Sequence, residues 1–579
     1  MSTQCRCHHR IRPPIEGVIL LTCIWLQLSQ LLAAKQNTHP PPDKDAAARS
    51  QSPAKSVKVN VNVVEVRVVV RDEQGKPVAG LKKEDFVLYD NQKRQAITTF
   101  SSEIAAKPIT DVPSYSATAT KEDRSAVVAN LPERFVSLYI DDIHIEESNI
   151  SQVRQAAMKL LDAMTPTDRL AIFVSSGQLG EDFTSDRQKL AAALEKLAPH
   201  PMGGRSALAD CPPMTFYEAY EITQVNDPAA VEAANDDFRD CMSMASADDN
   251  GHEIWKAATR AMEIGKSGLN LALQNLGSVI RRMNVLPGQR VIVMLSPGFF
   301  VMPLMQESHE IIDRATKAGI VVNTIDARGL YTSTMYGASS SGAMSVAKAQ
   351  FMQTEESEEG EVLAGFAEST GGRYFHNRND IDQGLLQAAE PPQFSYVLGF
   401  SPQTLKFDGK FHSLKVGLTT KSNWRVQARR GYFAPREPES LEQDVRQQIE
   451  HALTSPKELQ ELPLQLQVQI TKSGQEAQLS AISHIDIRNA AFERANNTNN
   501  DDLKIVLALF DLNGRLVSTT ERNVNLHVPD STLNSWDKTG IRVKVDVNVH
   551  PGTYLVRVVV RDSGAGEMGA TSQGVVVPN

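Results

Sequence analysis

The chain has 579 residues, too many for a single hydrophobic core, and its 41% apolar and 22% charged residues are the composition of an ordinary globular protein. A formal net charge of -9 and the lack of a long Lys/Arg block argue against nucleic acid as a partner.

Residues 1–34 read as a signal peptide or an N-terminal anchor. His8, His9, Arg10 and Arg12 form a basic head, an apolar run follows from Gly17, and Leu32-Ala-Ala34 offers small residues for cleavage. Gln27, Ser29 and Gln30 weaken that run as a membrane span, so membrane attachment is expected only if the leader stays uncleaved. The expected location is exported: periplasmic, cell-surface or extracellular. Of five cysteines, Cys5, Cys7 and Cys23 fall in the leader, leaving Cys211 and Cys241. An even pair in an exported chain most simply makes one disulfide. A metal pair or free thiols are the alternatives, and two cysteines without nearby histidines are too few for structural zinc.

Residues 35–56, rich in Pro, Lys, Ala and Ser, read as a flexible linker. Residues 57–103 are an N-terminal β segment, in which Val59, Val61 and Val63 alternate with polar residues and Phe86-Val-Leu-Tyr89 is a further strand. Residues 104–132 are a second linker. From 133 to 392, strands alternate with helices. Strands are predicted over 135–140, 170–175, 289–295 and 319–325. Helices are predicted over 149–164 (capped by Ser148 or Asn149), 186–197, 253–283, 308–318 and 361–369. This alternation predicts a doubly wound parallel sheet flanked by β-sandwich-like domains. Two insertions, 202–250 with both remaining cysteines and 331–359, are expected to be loops. Residues 393–436 are expected to complete the first β domain, 437–458 to be a helical connector and 459–579 a C-terminal β-sandwich. Val-Arg-Val-Val-Val-Arg-Asp occurs at 66–72 and again at 556–562. Two similar sandwiches or chance between Val-rich strands explain it equally.

The strand Phe135-Val-Ser-Leu-Tyr-Ile140 ends in Asp141-Asp142. In an open α/β sheet, ligands bind at the carboxyl ends of strands, and carboxylates there suit a hard cation that takes oxygen ligands.

In order and spacing, several motifs from 57 to 436 resemble a von Willebrand factor A-type domain, and more narrowly the von Willebrand A-related proteins of acidobacteria. They are Lys83-Glu-Asp-Phe86, Tyr139-Ile-Asp-Asp-Ile-His144, Leu295-Ser-Pro-Gly298, Ile325-Asp-Ala-Arg-Gly329, Ala367-Glu-Ser-Thr-Gly-Gly372 and Ala428-Arg-Arg-Gly-Tyr-Phe433. The resemblance implies a divalent cation held by Asp-x-Ser-x-Ser, a later Thr and a later Asp. Asp141 matches the first position, but Ile143 and Ile145 fall where the serines belong, Ser296 stands where the later Asp would be, and the Thr has no match. The metal site is therefore expected to be degenerate, with no cofactor. A rearranged Mg²⁺ or Ca²⁺ site at Asp141, Asp142 and Ser148, with His144 or Glu146, is the alternative. Without a metal, Asp142 and His144 would hydrogen-bond locally or cap the next helix.

Enzyme motifs are missing. There is no His-Glu-x-x-His, no Gly-x-Ser-x-Gly and no phosphate loop. Ser345-Val-Ala-Lys348 and Lys538-Thr-Gly540 mimic a penicillin-binding pattern that lacks its middle element. The expected function is non-enzymatic binding of a protein or cell-envelope partner. Cation-dependent adhesion and a hydrolase with an unrecognised site are the alternatives.

Overall fold

The computed structural model describes residues 63–104, 132, 134–202, 211–242, 250–329, 346–378, 380–390, 394–402, 409–420, 423–434, 440–455, 458–473, 476–495 and 498–578. The expected leader, the 35–56 linker and most of the 104–132 linker lie outside them. Among the described residues, no helix is long and apolar enough to cross a membrane.

The central region runs β1 (Arg134–Ile140), α1 (Glu147–Ala163), β2 (Asp168–Val174), β3 (Gly180–Thr184), α2 (Arg187–Glu195), α3 (Phe216–Tyr220), α4 (Pro228–Met242), α5 (Asn250–Asn284), β4 (Gln289–Ser296), α6 (Met305–Lys317), β5 (Val321–Asp326), α7 (Val346–Thr370), β6 (Tyr374–Phe375) and α8 (Ile381–Ala389). The sheet order is β3-β2-β1-β4-β5-β6. Strands β1, β2, β4, β5 and β6 are parallel, as helical crossovers require. The expectation of a purely parallel sheet is corrected at one edge. β3 pairs antiparallel with β2 because only a short turn joins them, which leaves no room for a crossover.

Helices cover both faces, so β1 is buried along nearly its whole length. On one face, Val153 and Leu160 of α1, Leu190 of α2 and Leu385 of α8 pack under Leu138, Ile172 and Val293. On the other, Leu273 of α5, Ile312 of α6 and Phe366 of α7 pack against Tyr139, Ile292 and Val322. Helix α1 starts earlier than predicted. Its N-cap is Glu146, without a side-chain cap bond, rather than Ser148 or Asn149. Asp186 does cap α2, accepting from the amides of Gln188 and Lys189.

Both insertions carry helices, contrary to expectation. The first contains α3, a π-turn over Glu221–Val225 and α4. Their apolar faces, with Ala219, Ile222, Ala230, Ala234 and Phe238, pack against Ile254 and Ala258 of α5. From Val346 onward the second insertion belongs to α7; the preceding 330–345 lie outside the described residues. Its polar, acidic run (Glu355 to Glu359) lacks an apolar stripe, which is why the periodicity concealed a helix.

Strands from before and after this region interleave in two antiparallel sheets. Val64–Arg71 lies between Phe394–Phe400 and Arg425–Ala428, and Phe86–Asp90 pairs with Phe411–Leu418. Val66, Val68, Phe86, Leu88, Tyr396 and Phe400 fill the space between the sheets. After helix Leu441–Thr454, two further antiparallel sheets enclose Leu479, Ile505, Leu507, Val556 and Val558. The repeated heptapeptide lies in Val64–Arg71 and Gly552–Asp562, both strands of such sheets.

The C-terminal sheets reach the start of β1. Gly514, at φ +72°, lies so close to Phe135 that an added Cβ would come within 2.5 Å of its ring. Arg169 donates to the Leu512 carbonyl at 2.6 Å. Farther on, the Asp501 and Asp562 carboxyls are neighbours, and Oδ2 of Asp501 is buried without a hydrogen-bond partner. Asp562 also accepts from the amides of Ala491, Gly564 and Ala565. Burial, and then the neighbouring Asp562, push Asp501 up to about 7. A carboxyl raised on folding gives its full stabilisation below its unfolded value of about 3.9 and loses it as pH rises through the folded value. Thermal melting should therefore fall between about pH 4 and about pH 7, and Asp501→Asn should flatten that fall. Parallel profiles for the two proteins would refute this.

Candidate functional site

β1 and β4 are adjacent although their connections leave toward opposite sides, so a crevice opens at their carboxyl ends. The Asp141 and Asp142 carboxylates lie there, at 1% and 0% exposure. Two buried carboxylates side by side are costly unless donors surround them. Donors do surround them. His144 Nδ1 lies 2.9 Å from both oxygens of Asp141, and Ser296 Oγ donates to Asp141 at 2.6 Å. Asp142 accepts from Ser175 Oγ at 2.9 Å, the Ser176 amide at 2.8 Å, Ser176 Oγ at 2.6 Å and His200 Nδ1 at 2.8 Å.

Burial works against the Asp141 charge. His144, with the hydrogen bonds from His144, Ser296 and Ser175, outweighs it and holds the carboxyl below its usual range. The same contact works in reverse for His144. Burial disfavours its cation, but Asp141 first, then Glu359 and Asp142, raise its pKa. The His144 ring also stacks on Phe299, 5.7 Å between centroids.

Of the sequence-predicted ligands, Asp141, Asp142, His144 and Ser296 converge. Ser148 does not. It sits exposed on the first turn of α1, with only a long 3.4 Å contact to Glu146, itself exposed. Ile143 and Ile145 are 6% and 3% exposed, so apolar side chains occupy the positions where hydroxyl ligands were sought. Thr215 caps α3 instead. The residues present do not fit a hard cation, because all four carboxylate oxygens already accept hydrogen bonds from protein donors. Among the described residues, no group of three or more His, Cys, Asp or Glu side chains is placed to hold a metal.

Nor do the groups make a nucleophilic triad. Ser296 and His144 both hydrogen-bond to Asp141, so the carboxylate stands between hydroxyl and imidazole, where a serine nucleophile needs the imidazole beside it. Lys348 of the penicillin-binding mimic is paired with Asp237, and Ser345 lies outside the described residues.

Sequence reasoning missed Ser175, Ser176 and His200. The serines directly follow β2, the neighbouring parallel strand, so reading all strand ends together would have found them. His200 follows α2 and carries no such signal.

Over this crevice lies a helical cap. Phe300, from the loop after β4, packs against Tyr217 at 5.1 Å and Tyr220 at 5.0 Å, and Tyr217 packs on Phe351 of α7 at 5.3 Å. α7 descends until the Glu359 carbonyl lies against Gly298, where an added Cβ would come within 2.5 Å of it. The Cys211–Cys241 disulfide, with Cα atoms 5.9 Å apart, closes α3, the π-turn and α4 into one loop.

No family model matches the chain, and no curated protein matches it significantly. Among solved structures, similarity is weak. The pilus adhesin SpaC from Lactobacillus rhamnosus GG is 9% identical over 87% of this chain and 62% of its own, with a TM-score of 0.22. The TFIIH p34 N-terminal domain is 13% identical over 45% of this chain and 97% of its own, with a TM-score of 0.18. A putative beta-galactosidase from Bacteroides fragilis is 15% identical over 20% of this chain, with a TM-score of 0.14; the match spans only 16% of that enzyme.

Replacing Asp142 by Ala would leave Ser175, Ser176 and His200 donors without an acceptor in a buried crevice. It should lower stability by on the order of 3 kcal/mol in urea unfolding, with Asp142→Asn losing less. Equal loss in the two variants would mean that charge, not hydrogen bonding, holds the crevice. Reducing the disulfide should cost roughly 3–4 kcal/mol of unfolding free energy in the chain-entropy model. Free thiols on Cys211 and Cys241 in the untreated protein would refute the linkage.

Proposed function

We propose that this is an exported, non-enzymatic binding protein of the von Willebrand A-like kind. It meets a protein or cell-envelope partner through the helical cap on the carboxyl edge of its sheet, without the usual metal-ion adhesion site. The carrying observation is that Asp141 and Asp142 sit at the switch point of the sheet with every carboxylate oxygen taken by a serine, histidine or amide donor. A partner's acidic group would therefore find no cation to complete. The strand order and the position of both aspartates support the von Willebrand A-like assignment.

Contact then falls to side chains of the cap. Val225, at the end of the π-turn, is 54% exposed, and Trp255, on the first turns of α5, is 50% exposed. Exposed aromatic and aliphatic anchors of this kind dominate protein interfaces. Residues pinned by a disulfide lose little freedom on binding, which favours the same surface.

Calorimetric titration of Mg²⁺, Ca²⁺ and Mn²⁺ into the full chain should give no saturable heat. Binding that disappears in Asp141→Ala would establish the cation-dependent reading instead. Capture of an envelope protein should be equal in EDTA and in Mg²⁺, and should fall at least about tenfold in Trp255→Ala, the loss expected of an interface anchor. Capture that needs Mg²⁺, or that ignores Trp255, would overturn the proposal.

A further inference from the structure

A seam of carboxyl groups runs through the cap. Glu218 comes from α3, on the disulfide-closed side, and Glu355 from α7 opposite. They are 5% and 9% exposed, and Oε1 of each is buried without a hydrogen-bond partner. An unpartnered oxygen of a neutral carboxyl is tolerable inside a protein, whereas an ionised one without compensation is not.

Like charges surround these two groups. Asp237 of α4 lies near Glu218, and Glu356 adjoins Glu355 on α7. Asp227, before α4, and Glu358 of α7 face Glu221 at the start of the π-turn. Lower on α7, Glu359 faces Glu355 as well as two basic groups, Arg328 after β5 and His144 after β1. Lys348 of α7 also lies at the seam, already paired with Asp237. Thr215 bonds Glu355.

We propose that this seam is a pH-sensitive gate. The disulfide-closed helices rest on α7, covering the Asp141–Asp142 crevice, while Glu218 and Glu355 are protonated, and they part from it when those carboxyls ionise. Biological use of the gate rests on the cap being the contact surface; the opening itself does not.

The two sides are anchored differently. Below Glu359, α7 is anchored in the sheet. Leu363 and Phe366 are buried in its core and Thr370 bonds both Val322 and Phe366. Across the seam, α3, the π-turn and α4 form a disulfide-closed loop whose apolar cluster rests on Ile254 and Ala258 of α5 and takes in Phe351 of α7. Phe351 of α7 enters that cluster against Tyr217, and the Lys348–Asp237 pair adds a polar link between the two. Burial, then Asp237 and Glu355, push Glu218 up to about 8; burial, offset by Thr215, pushes Glu355 up to about 6; Glu359, less enclosed, is pushed by burial and then Glu355 to about 8. Raised carboxyls hold the closed form most firmly at low pH, and that hold weakens as pH climbs through these values.

Hydrogen exchange of the full chain, corrected for intrinsic rates, tests the gate. From about pH 5.5 to about pH 9, opening in 216–242 and 346–358 should rise by up to tenfold per pH unit for each proton released, while strand 289–296 stays protected. The Glu218→Gln and Glu355→Gln double variant should keep the cap protected throughout. Exchange in the cap that is flat with pH, or that rises as steeply in the double variant, would overturn the gate. Should that variant misfold, infrared titration of the Asp501→Asn protein, which removes the other raised carboxyl of similar value, decides. The protonated-carboxyl band must shrink in step with cap opening, and a band already absent at the acid end refutes the proposal. A cap that opens without any partner being captured would sink the binding reading and leave the gate standing; a partner captured by a cap that never opens would do the reverse.

Discussion

Two ionisable carboxyls in adjacent positions, buried at the end of the central strand, impose the constraint on which the upper half of this molecule depends. Neither Asp141 nor Asp142 can stay there without donors, and no single loop supplies enough. Three strand ends are therefore tied to one point: β1 carries the acids, β2 supplies Ser175 and Ser176, and β4 supplies Ser296. His144 and His200 complete the ring from the loop after β1 and the segment after α2. A site that elsewhere would suit a cation is here closed with protein hydrogen bonds. The same acids that could have held a ligand instead fix the relative heights of three strands.

This closure explains why so much chain is placed above it. Phe299 and Phe300 leave β4 immediately after the crevice and become the floor for the cap, one against His144 and the other against Tyr217 and Tyr220. The crevice and the cap thus share a loop of five residues, Ser296 to Phe300, with Gly298 allowing α7 to come down onto it. Electrostatics runs in opposite senses across that loop. Below it, acids are matched by donors. Above it, Glu218 and Glu355 lie among other acids, and burial pushes both carboxyls up.

Much of the layered architecture was legible in the sequence because it rests on periodicity. Buried apolar runs such as 291–295 and the stripe Ile150, Val153, Ala157, Leu160 admit few alternatives. The antiparallel edge β3 was not legible, since Gly180-Glu-Asp-Phe-Thr184 has one buried apolar residue and no alternation to betray it. The cap escaped for a related reason. The helices of the first insertion bury mainly alanines, and the upper part of α7 is acidic rather than amphipathic, so neither advertises a core face. At the site, the aspartates and Ser296 could be read because a parallel sheet presents its strand ends together. His200 could not, because its place is set by tertiary packing with no local signature.

The opposite end of β1 limits where the chain can be cut. Phe135 begins the central strand and is fully enclosed, and part of that enclosure is the turn around Gly514, contributed by strands almost 400 residues away. Arg169 at the start of the neighbouring strand spends its guanidinium on the Leu512 carbonyl of the same turn. A truncated protein ending before these strands would bare an aromatic ring and a desolvated cation at the root of its own sheet. The C-terminal sheets are therefore a footing for the central one as much as a module beside it, and the α/β region is not a self-sufficient fragment to be excised and carried elsewhere.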